Sequence, residues 1–333
     1  MKIVLAASIY PPEIGGPSFY AASLEEALEK EGTEVEVAVL SSYRRIPPGF
    51  RHLWYAYALW RKARGAEAVI AFDLHAAGLP AVVAARMRGI PTIVRVGGDF
   101  VWEHYSNRTG DMIPLPDFYA RESHLSAKER FAFRLVRLLA RNAVLAFSSP
   151  WIADIWREPY GLTDARVRVI ENAIEPKLEP LAPARKNFIF FSRRIPLKNH
   201  IAFRRAFERV KQKHTDIELE EGMIPHKELL ERMRGCYAVV APSISEVTPN
   251  YILDAIRCGK PFLLTKYSGY AERFKEYGVI VDPLSEESMA RGIEQLSDAA
   301  TYEKLRANIA AFSEVRTYDD IAREFLLLIK DRA

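Results

Sequence analysis

Residues 242–269 read Pro242-Ser-Ile-Ser-Glu246-Val-Thr248-Pro249-Asn250-Tyr251-Ile-Leu-Asp254-Ala-Ile-Arg-Cys258-Gly259-Lys260-Pro261-Phe-Leu-Leu-Thr265-Lys-Tyr-Ser-Gly269. A hydroxyl at Thr248 followed by Pro249 predicts a helix start: the side chain caps free amides, and proline has its φ pre-set and no N–H to lose. The helix is expected to run from Pro249 to about Cys258. It stops at Gly259, which accepts the left-handed conformation that ends helices, and Pro261 forbids continuation. Phe262 to Thr265 then reads as a buried strand. Glu246 therefore sits on a loop ahead of a helix whose free amides attract anions, and Asp254 projects from the helix body. Such a place suits a phosphate ester with sugar on either side. Taken alone, the two acids read equally well as a solvated loop acid and a helix-surface acid.

Outward from this segment, the same alternation covers the chain. In the first half, strands are expected at 2–7, 35–40, 68–72 and 91–96, with helices at 17–31, around 53–64 and at 77–88 between them. Later strands follow near 145–148 and 167–170. Short apolar runs alternating with amphipathic ones predict a parallel sheet with helices on both faces. A polar, proline-rich stretch from Glu175 to Lys186 interrupts the pattern. The second half restarts with a strand at 187–191, a helix from about 198 to 213, a strand at 217–220, a helix at 226–234 and a strand at 237–241. The reading is α/β, two doubly wound Rossmann-like domains over 1–180 and 181–315, with ligands expected at the carboxyl ends of the strands. A last helix lies at 318–330.

The chain has 333 residues, enough for two domains with cores of their own. Apolar residues are 49% and charged residues 27%, the balance of a globular protein rather than a disordered one. A net charge of +4 does not argue for nucleic acid. The two cysteines, Cys236 and Cys258, have no metal-ligand spacing and fit a reducing cytosol. The N-terminal apolar run is too short for a signal peptide, and the longest apolar stretch, near 68–85, is broken by Asp73, His75 and Pro80.

Four further segments place charge or backbone at strand ends. Ser192-Arg193-Arg194 and Lys198-Asn199-His200 flank a turn after the strand at 187–191, where a diphosphate would be neutralised. Tyr10-Pro-Pro-Glu-Ile-Gly15-Gly16-Pro precedes a helix, and its glycines let a ligand approach the backbone closely. A dinucleotide fingerprint, Gly-x-Gly-x-x-Gly, is absent there. Asp73-Leu-His75 and Arg95-Val-Gly97-Gly98-Asp99 follow two strands of the first half. A lone histidine such as His75 is more often structural than catalytic, and Asn172 has a structural reading too. No Asp-x-Asp occurs in the chain.

The run of Glu246, seven residues, then an acid, followed by Ala-Ile-x-x-Gly-Lys-Pro, resembles the Glu-x7-Glu segment of retaining glycosyltransferases of family 4, which have the GT-B fold. Arg193 to Asn199 resembles that family's Arg-x4-Lys-Gly/Asn segment, with Ser192 where glycine is usual. Residues 11–16 resemble its Pro-Pro-x-x-Gly-Gly loop. The resemblance implies two Rossmann-like domains facing a central cleft, acceptor on the N-terminal side and nucleotide-sugar donor on the C-terminal side, with residues 316–333 crossing back to the first domain. It implies that Arg193 and Lys198 hold the donor diphosphate, that Glu246 meets the sugar, and that Asp254 holds the ribose, one methylene shorter than the usual glutamate. Gly15, Gly16, Thr248, Pro249, Asn250 and Tyr251 would line the donor site. Where many members carry a histidine, Gly97 and Gly98 stand here, which makes Asp99 the candidate for the acceptor or sugar contact.

The activity so implied is hexosyl transfer from a nucleoside-diphosphate sugar to an acceptor hydroxyl, in glycan or glycolipid synthesis. No metal or other cofactor is expected, since cations do the work of metal ligands, and nucleic acid is not an expected partner. A nucleotide-sugar epimerase of the same fold and a sugar-nucleotide-binding protein without catalysis remain as rivals. Residues 51–64 and 128–141 mix cations with aromatics and leucines at helical spacing. They fit either an anionic membrane, with a lipid-linked acceptor at the cytoplasmic face, or an ordinary core-facing stripe.

Overall fold

The computed structural model describes residues 1–13, 15–47, 49–120 and 125–331. They divide into two compact units, the first comprising residues 1–99, 126–173 and 316–333, and the second residues 100–125 and 174–315.

In the first unit a six-stranded parallel sheet has the order β2-β1-β3-β4-β5-β6. Its strands are β1 (Lys2–Ala7), β2 (Glu34–Val39), β3 (Ala68–Ala71), β4 (Thr92–Val96), β5 (Val144–Phe147) and β6 (Val167–Val169). Helix α1 (Gly16–Lys30) joins β1 to β2, α2 (Phe50–Lys62) joins β2 to β3, and α3 (Leu79–Arg88) joins β3 to β4. Between β4 and β5 the chain makes α4 (Phe100–Thr109) and α5 (Leu115–Phe118), which belong to the second unit, and then α6 (Ala127–Ala140). Helix α7 (Pro150–Tyr160) leads to β6.

Right-handed crossovers decide which face each helix covers. Moving from β1 outward to β2 puts α1 on one face; the steps through α2, α3, α6 and α7 run the other way across the sheet and put those helices on the opposite face. The core agrees. Ile3, Leu5 and Ala7 of β1 pack with Leu24 and Leu28 of α1 and with Ile321, Phe325 and Ile329 of the C-terminal helix. The alternate residues Val4 and Ala6, also fully buried, point to the other layer.

The second unit has a five-stranded parallel sheet of order β11-β10-β9-β7-β8. These are β7 (Lys186–Phe191), β8 (Ile217–Gly222), β9 (Ala238–Ala241), β10 (Phe262–Thr265) and β11 (Gly278–Val281). The connecting helices are α8 (His200–Lys211), α9 (His226–Gly235) and α10 (Asn250–Arg257), followed by α11 (Glu286–Ser297) and α12 (Ala299–Ala311). The chain ends on α13 (Tyr318–Lys330), which packs beside α1 in the first unit and is opened by a Thr317–Asp320 capping box. The residues 100–125 within the second unit are a feature that periodicity along the chain does not announce.

Two helix starts differ from expectation. Helix α8 begins at His200 rather than 198, because residues 196–198 form a single 3₁₀ turn and Asn199 takes a left-handed φ of 60°. Helix α10 begins at Asn250, with Pro249 extended at its N-cap position (ψ 108°). Proline has no side-chain acceptor, so the residue at the N-cap position makes no side-chain cap bond. At the far end Gly259 has φ +70°, and a Cβ there would lie 3.0 Å from Pro180, so both conformation and space call for glycine.

Candidate functional site

The site lies in the second unit, where β7 and β9 deliver their chain ends. Beyond β7, Ser192 and Arg193 lead into the 3₁₀ turn that carries Lys198; beyond β9, residues 242–249 carry Glu246 to the start of α10. Lys198 Nζ donates to Glu246 Oε1, and Ser243 Oγ donates to the same oxygen at 2.6 Å. The lysine and glutamate side chains keep 21% and 15% exposure, so the pair is sheltered yet open to a ligand. A pocket of about 300 Å³ is lined by Ser192, Arg193, Lys198, Ser243, Glu246 and the Pro249-Asn250-Tyr251 start of α10, among others. Two cations, one carboxylate and a helix N-terminus with proline at its N-cap thus share one concave space, which favours an anionic group bearing hydroxyls.

Backbone and buried side chains hold this arrangement. The Ile244 N–H donates to Leu197 O at 2.9 Å, tying the two loops together. Asn199 Nδ2 donates to Pro242 O at 3.2 Å and to Pro283 O at 2.8 Å, and a left-handed φ at this position suits asparagine better than most residues. Glu246 is itself clamped, its N–H donating to Tyr267 O and its carbonyl accepting from Gly269 N–H. Tyr251 Oη donates to Ile189 O at 3.1 Å and accepts from Phe191 N–H at 3.2 Å, fastening α10 to the end of β7. Burial pushes the Tyr251 phenol far above its ordinary range, so it remains a neutral strut.

Three contributors were not singled out in the sequence. Ser243 stands within the opening stretch, three residues before Glu246, and a hydroxyl so close to a candidate carboxylate was the available signal. His200 stacks on Phe190 with ring centroids 4.1 Å apart, lies 2.9 Å from Ser192 Oγ and 3.3 Å from Arg193 O, and meets Glu221 Oε1 at 3.0 Å. It braces the turn that presents Arg193. The segment 100–125 supports the other loop, since Leu115 N–H donates to Ser245 Oγ at 2.9 Å. No local pattern foretells that contact across 130 residues.

Asp254 projects from α10 as expected, and its Oδ2 meets His226 Nε2 of α9 at 2.9 Å. That hydrogen bond holds the His226 pKa above its ordinary value. The remaining expected residues belong to the first unit. Gly15 occupies the N-cap position of α1, and a Cβ on it would lie 2.9 Å from Ile9 Cδ1; around Gly16 the space is open. Asp99, expected to face an acceptor or sugar, is 1% exposed and accepts from Trp156 Nε1 at 2.8 Å, a bond inside the first unit. His75 is kept neutral by burial, its pKa lowered to about 4. Asn172 accepts from Arg95, whose guanidinium lies 4.1 Å over the Tyr20 ring, a structural brace.

Both cysteines are free and buried. Among the described residues, no group of three or more His, Cys, Asp or Glu side chains is disposed to hold a metal ion.

Two family models match the chain: "Glycosyltransferase Family 4" over residues 14–178 and "Glycosyl transferases group 1" over residues 222–313. Among curated proteins no sequence matches significantly. Solved structures match over nearly the whole chain. HepE of Anabaena in complex with UDP and glucose has a TM-score of 0.71 at 16% identity, covering 99% of this chain and 100% of that one. Sucrose-phosphate synthase of Thermosynechococcus elongatus has 0.68 at 14% identity, covering 99% and 98%. The E. coli trehalose-6-phosphate structure bound with UDP-2-fluoro glucose has 0.67 at 12% identity, covering 99% and 98%. At these identities the likeness is one of fold.

Proposed function

We propose, starting from a chain that belongs to the family-4 glycosyltransferases and has their GT-B fold, that it moves a hexosyl group with retention from a nucleoside-diphosphate sugar to an acceptor hydroxyl, without a metal ion. The observation that supports this reading is the single pocket in which Arg193, Lys198, Glu246 and the open start of α10 meet. As the bond from the anomeric carbon to the phosphate oxygen breaks, negative charge develops on the departing diphosphate. Arg193, Lys198 and the first amides of α10 stand where that charge would be neutralised, with no reorganisation at the moment of reaction. These groups supply what a divalent ion supplies elsewhere.

Glu246 accepts hydrogen bonds and so suits the hydroxyls of the transferred sugar, while Asp254, with His226 beside it, suits the ribose. The acceptor oxygen attacks the anomeric carbon from the face the diphosphate leaves, and a diphosphate oxygen takes the acceptor's proton. Retention follows from that same-face geometry. The HepE structure holds UDP and glucose, which favours a nucleoside diphosphate of this kind here. The acceptor reading is a glycan or a lipid-linked species handled in the cytoplasm or at its membrane face.

Product analysis tests the reading. Incubation with a panel of nucleotide sugars and acceptors in the presence of a chelator is expected to release nucleoside diphosphate and to give a glycoside with the donor's anomeric configuration. An inverted product removes the retaining assignment, and activity abolished by chelation removes metal independence. Conversion of the donor into another nucleotide sugar without acceptor would make the protein an epimerase instead.

A further inference from the structure

Helices α2, α3 and α6 lie side by side on one face of the first sheet, and their outer surfaces have an unusual composition. On α2 the residues Phe50, Leu53, Trp54 and Tyr57 are 66%, 68%, 54% and 50% exposed. Their spacing of three and four puts them in one stripe, which Arg61 and Arg64 continue. The opposite stripe of the same helix, Tyr55 and Leu59, is fully buried. The helix is thus apolar on both sides with only one side covered by the fold, so a core-facing role explains half of it. On α3, Val83 and Met87 are exposed, and on α6, Phe131 and Leu138. Single exposed apolar side chains need no explanation; a set of this size, four of them in one stripe of α2, does.

The exposed charge carried by these three helices is basic. No Asp or Glu occurs between Glu36 and Glu67, a stretch containing Arg44, Arg45, Arg51, Arg61, Lys62 and Arg64, of which Arg44 pairs with Glu13 and Lys62 with Glu36. Helix α3 has no carboxylate either, and Arg86 near its end donates to Asn142 Oδ1, just beyond α6, at 2.6 Å. The outer face of α6 carries Lys128, Arg130, Arg134 and Arg137, and its one acid, Glu129, is 1% exposed because it closes the Ser126 capping box. Across the three helices no described carboxylate faces water.

We propose that this helix layer is the surface by which the protein binds an anionic lipid bilayer, with the α2 stripe entering the headgroup region and the arginines meeting lipid phosphates. No described helix is long and apolar enough to cross a membrane, so the contact is interfacial. Aromatic side chains favour the boundary between water and hydrocarbon, and a surface rich in exposed arginine draws an anionic leaflet toward it. The inference extends the transferase reading by making the acceptor a lipid-borne one, but its evidence is independent of the donor pocket.

Vesicle flotation of the full chain tests it. Binding to vesicles containing phosphatidylglycerol is expected, with little binding to pure phosphatidylcholine, and added salt should weaken it. Arg61→Glu with Arg64→Glu should lower binding about fivefold or more per arginine, and Trp54→Ser with Tyr57→Ser about tenfold or more. Trp54 fluorescence should shift to the blue on anionic vesicles. Leu327→Ser, an exposed apolar residue of α13 on the other layer, should bind like the wild type. Equal binding to both lipids, no binding to either, or a concentration-dependent dimer that Trp54→Ser dissolves would each overturn the proposal, the last by giving the face to a second copy of the chain. Lys198→Ala separates the two readings. Lost transfer with intact vesicle binding implicates the donor pocket alone, and failed vesicle binding with intact transfer to a water-soluble acceptor sinks the membrane surface while sparing the transferase.

Discussion

Two cationic regions of this molecule use the same side chains in opposite ways. At the candidate pocket Lys198 is tied to Glu246, and on the neighbouring α8 Arg204 is tied to Glu221 at 2.9 Å and Arg205 to Glu286 at 2.8 Å. On the outer face of α2, α3 and α6 the cations stand beside aromatic and aliphatic side chains, with Lys62 tied to Glu36 at 2.9 Å and Glu129 buried in a helix cap. Pairing fixes where a charge is, which chemistry at a bond requires. Cations set among exposed apolar side chains suit the extended anionic partner proposed above instead.

The contrast breaks most visibly at Lys198. On the proposed mechanism Lys198→Ala removes a charge that stabilises the leaving group and should raise the activation free energy of transfer by about 3–4 kcal/mol, read as product formed per unit time with far-UV circular dichroism unchanged. Rates near wild type would mean that the pocket is not where the diphosphate is held. Tyr251→Phe sharpens the other side of the argument, that buried polar links hold the pocket rigid. It strands Ile189 O and Phe191 N–H, and urea unfolding should register a loss of about 1–3 kcal/mol.

A smaller effect is expected from Asn199→Ala, which loses two hydrogen bonds and places alanine at φ 60°. The expected destabilisation is about 1–2 kcal/mol, and Asn199→Gly should recover the conformational part while the hydrogen-bond part stays lost. His226 gives a pH-dependent term. Its pKa is raised in the folded protein by Asp254, so the bond stabilises fully below the ordinary histidine value of 6.5 and its contribution is lost as pH rises through the higher folded value. Comparing wild type with His226→Gln, the stability gap should be present in mild acid and close on the alkaline side; a gap indifferent to pH would show that the bond carries no net charge interaction. Least of all should Leu53→Ser with Tyr57→Ser alter folding, within about 0.5 kcal/mol per substitution, because both side chains are already in water.

Spacing along the chain was enough for the α/β class, the alternation of strands and helices through most of both units, and the choice of residues that line the candidate pocket. Those features are local. A strand or helix announces itself in a few residues; Arg193, Lys198 and Glu246 lie in loops at strand ends, and Asp254 in the body of α10, places that the neighbouring residues dictate. Distances in three dimensions were another matter. That Ser243 shares an oxygen of Glu246 with Lys198, that Asp254 pairs with His226, and that residues 100–125 join the second unit depend on chain crossings that no local pattern encodes. Asp99 shows the same limit from the other side. Its position after β4 pointed to an open strand end, but the indole of Trp156, 57 residues on, closes over it. The outer stripe of α2 was equally undecided in one dimension, since apolar residues at helical spacing face a core or a partner alike. Only the packed neighbours, covering Tyr55 and Leu59 and leaving Trp54 in solvent, decided between them.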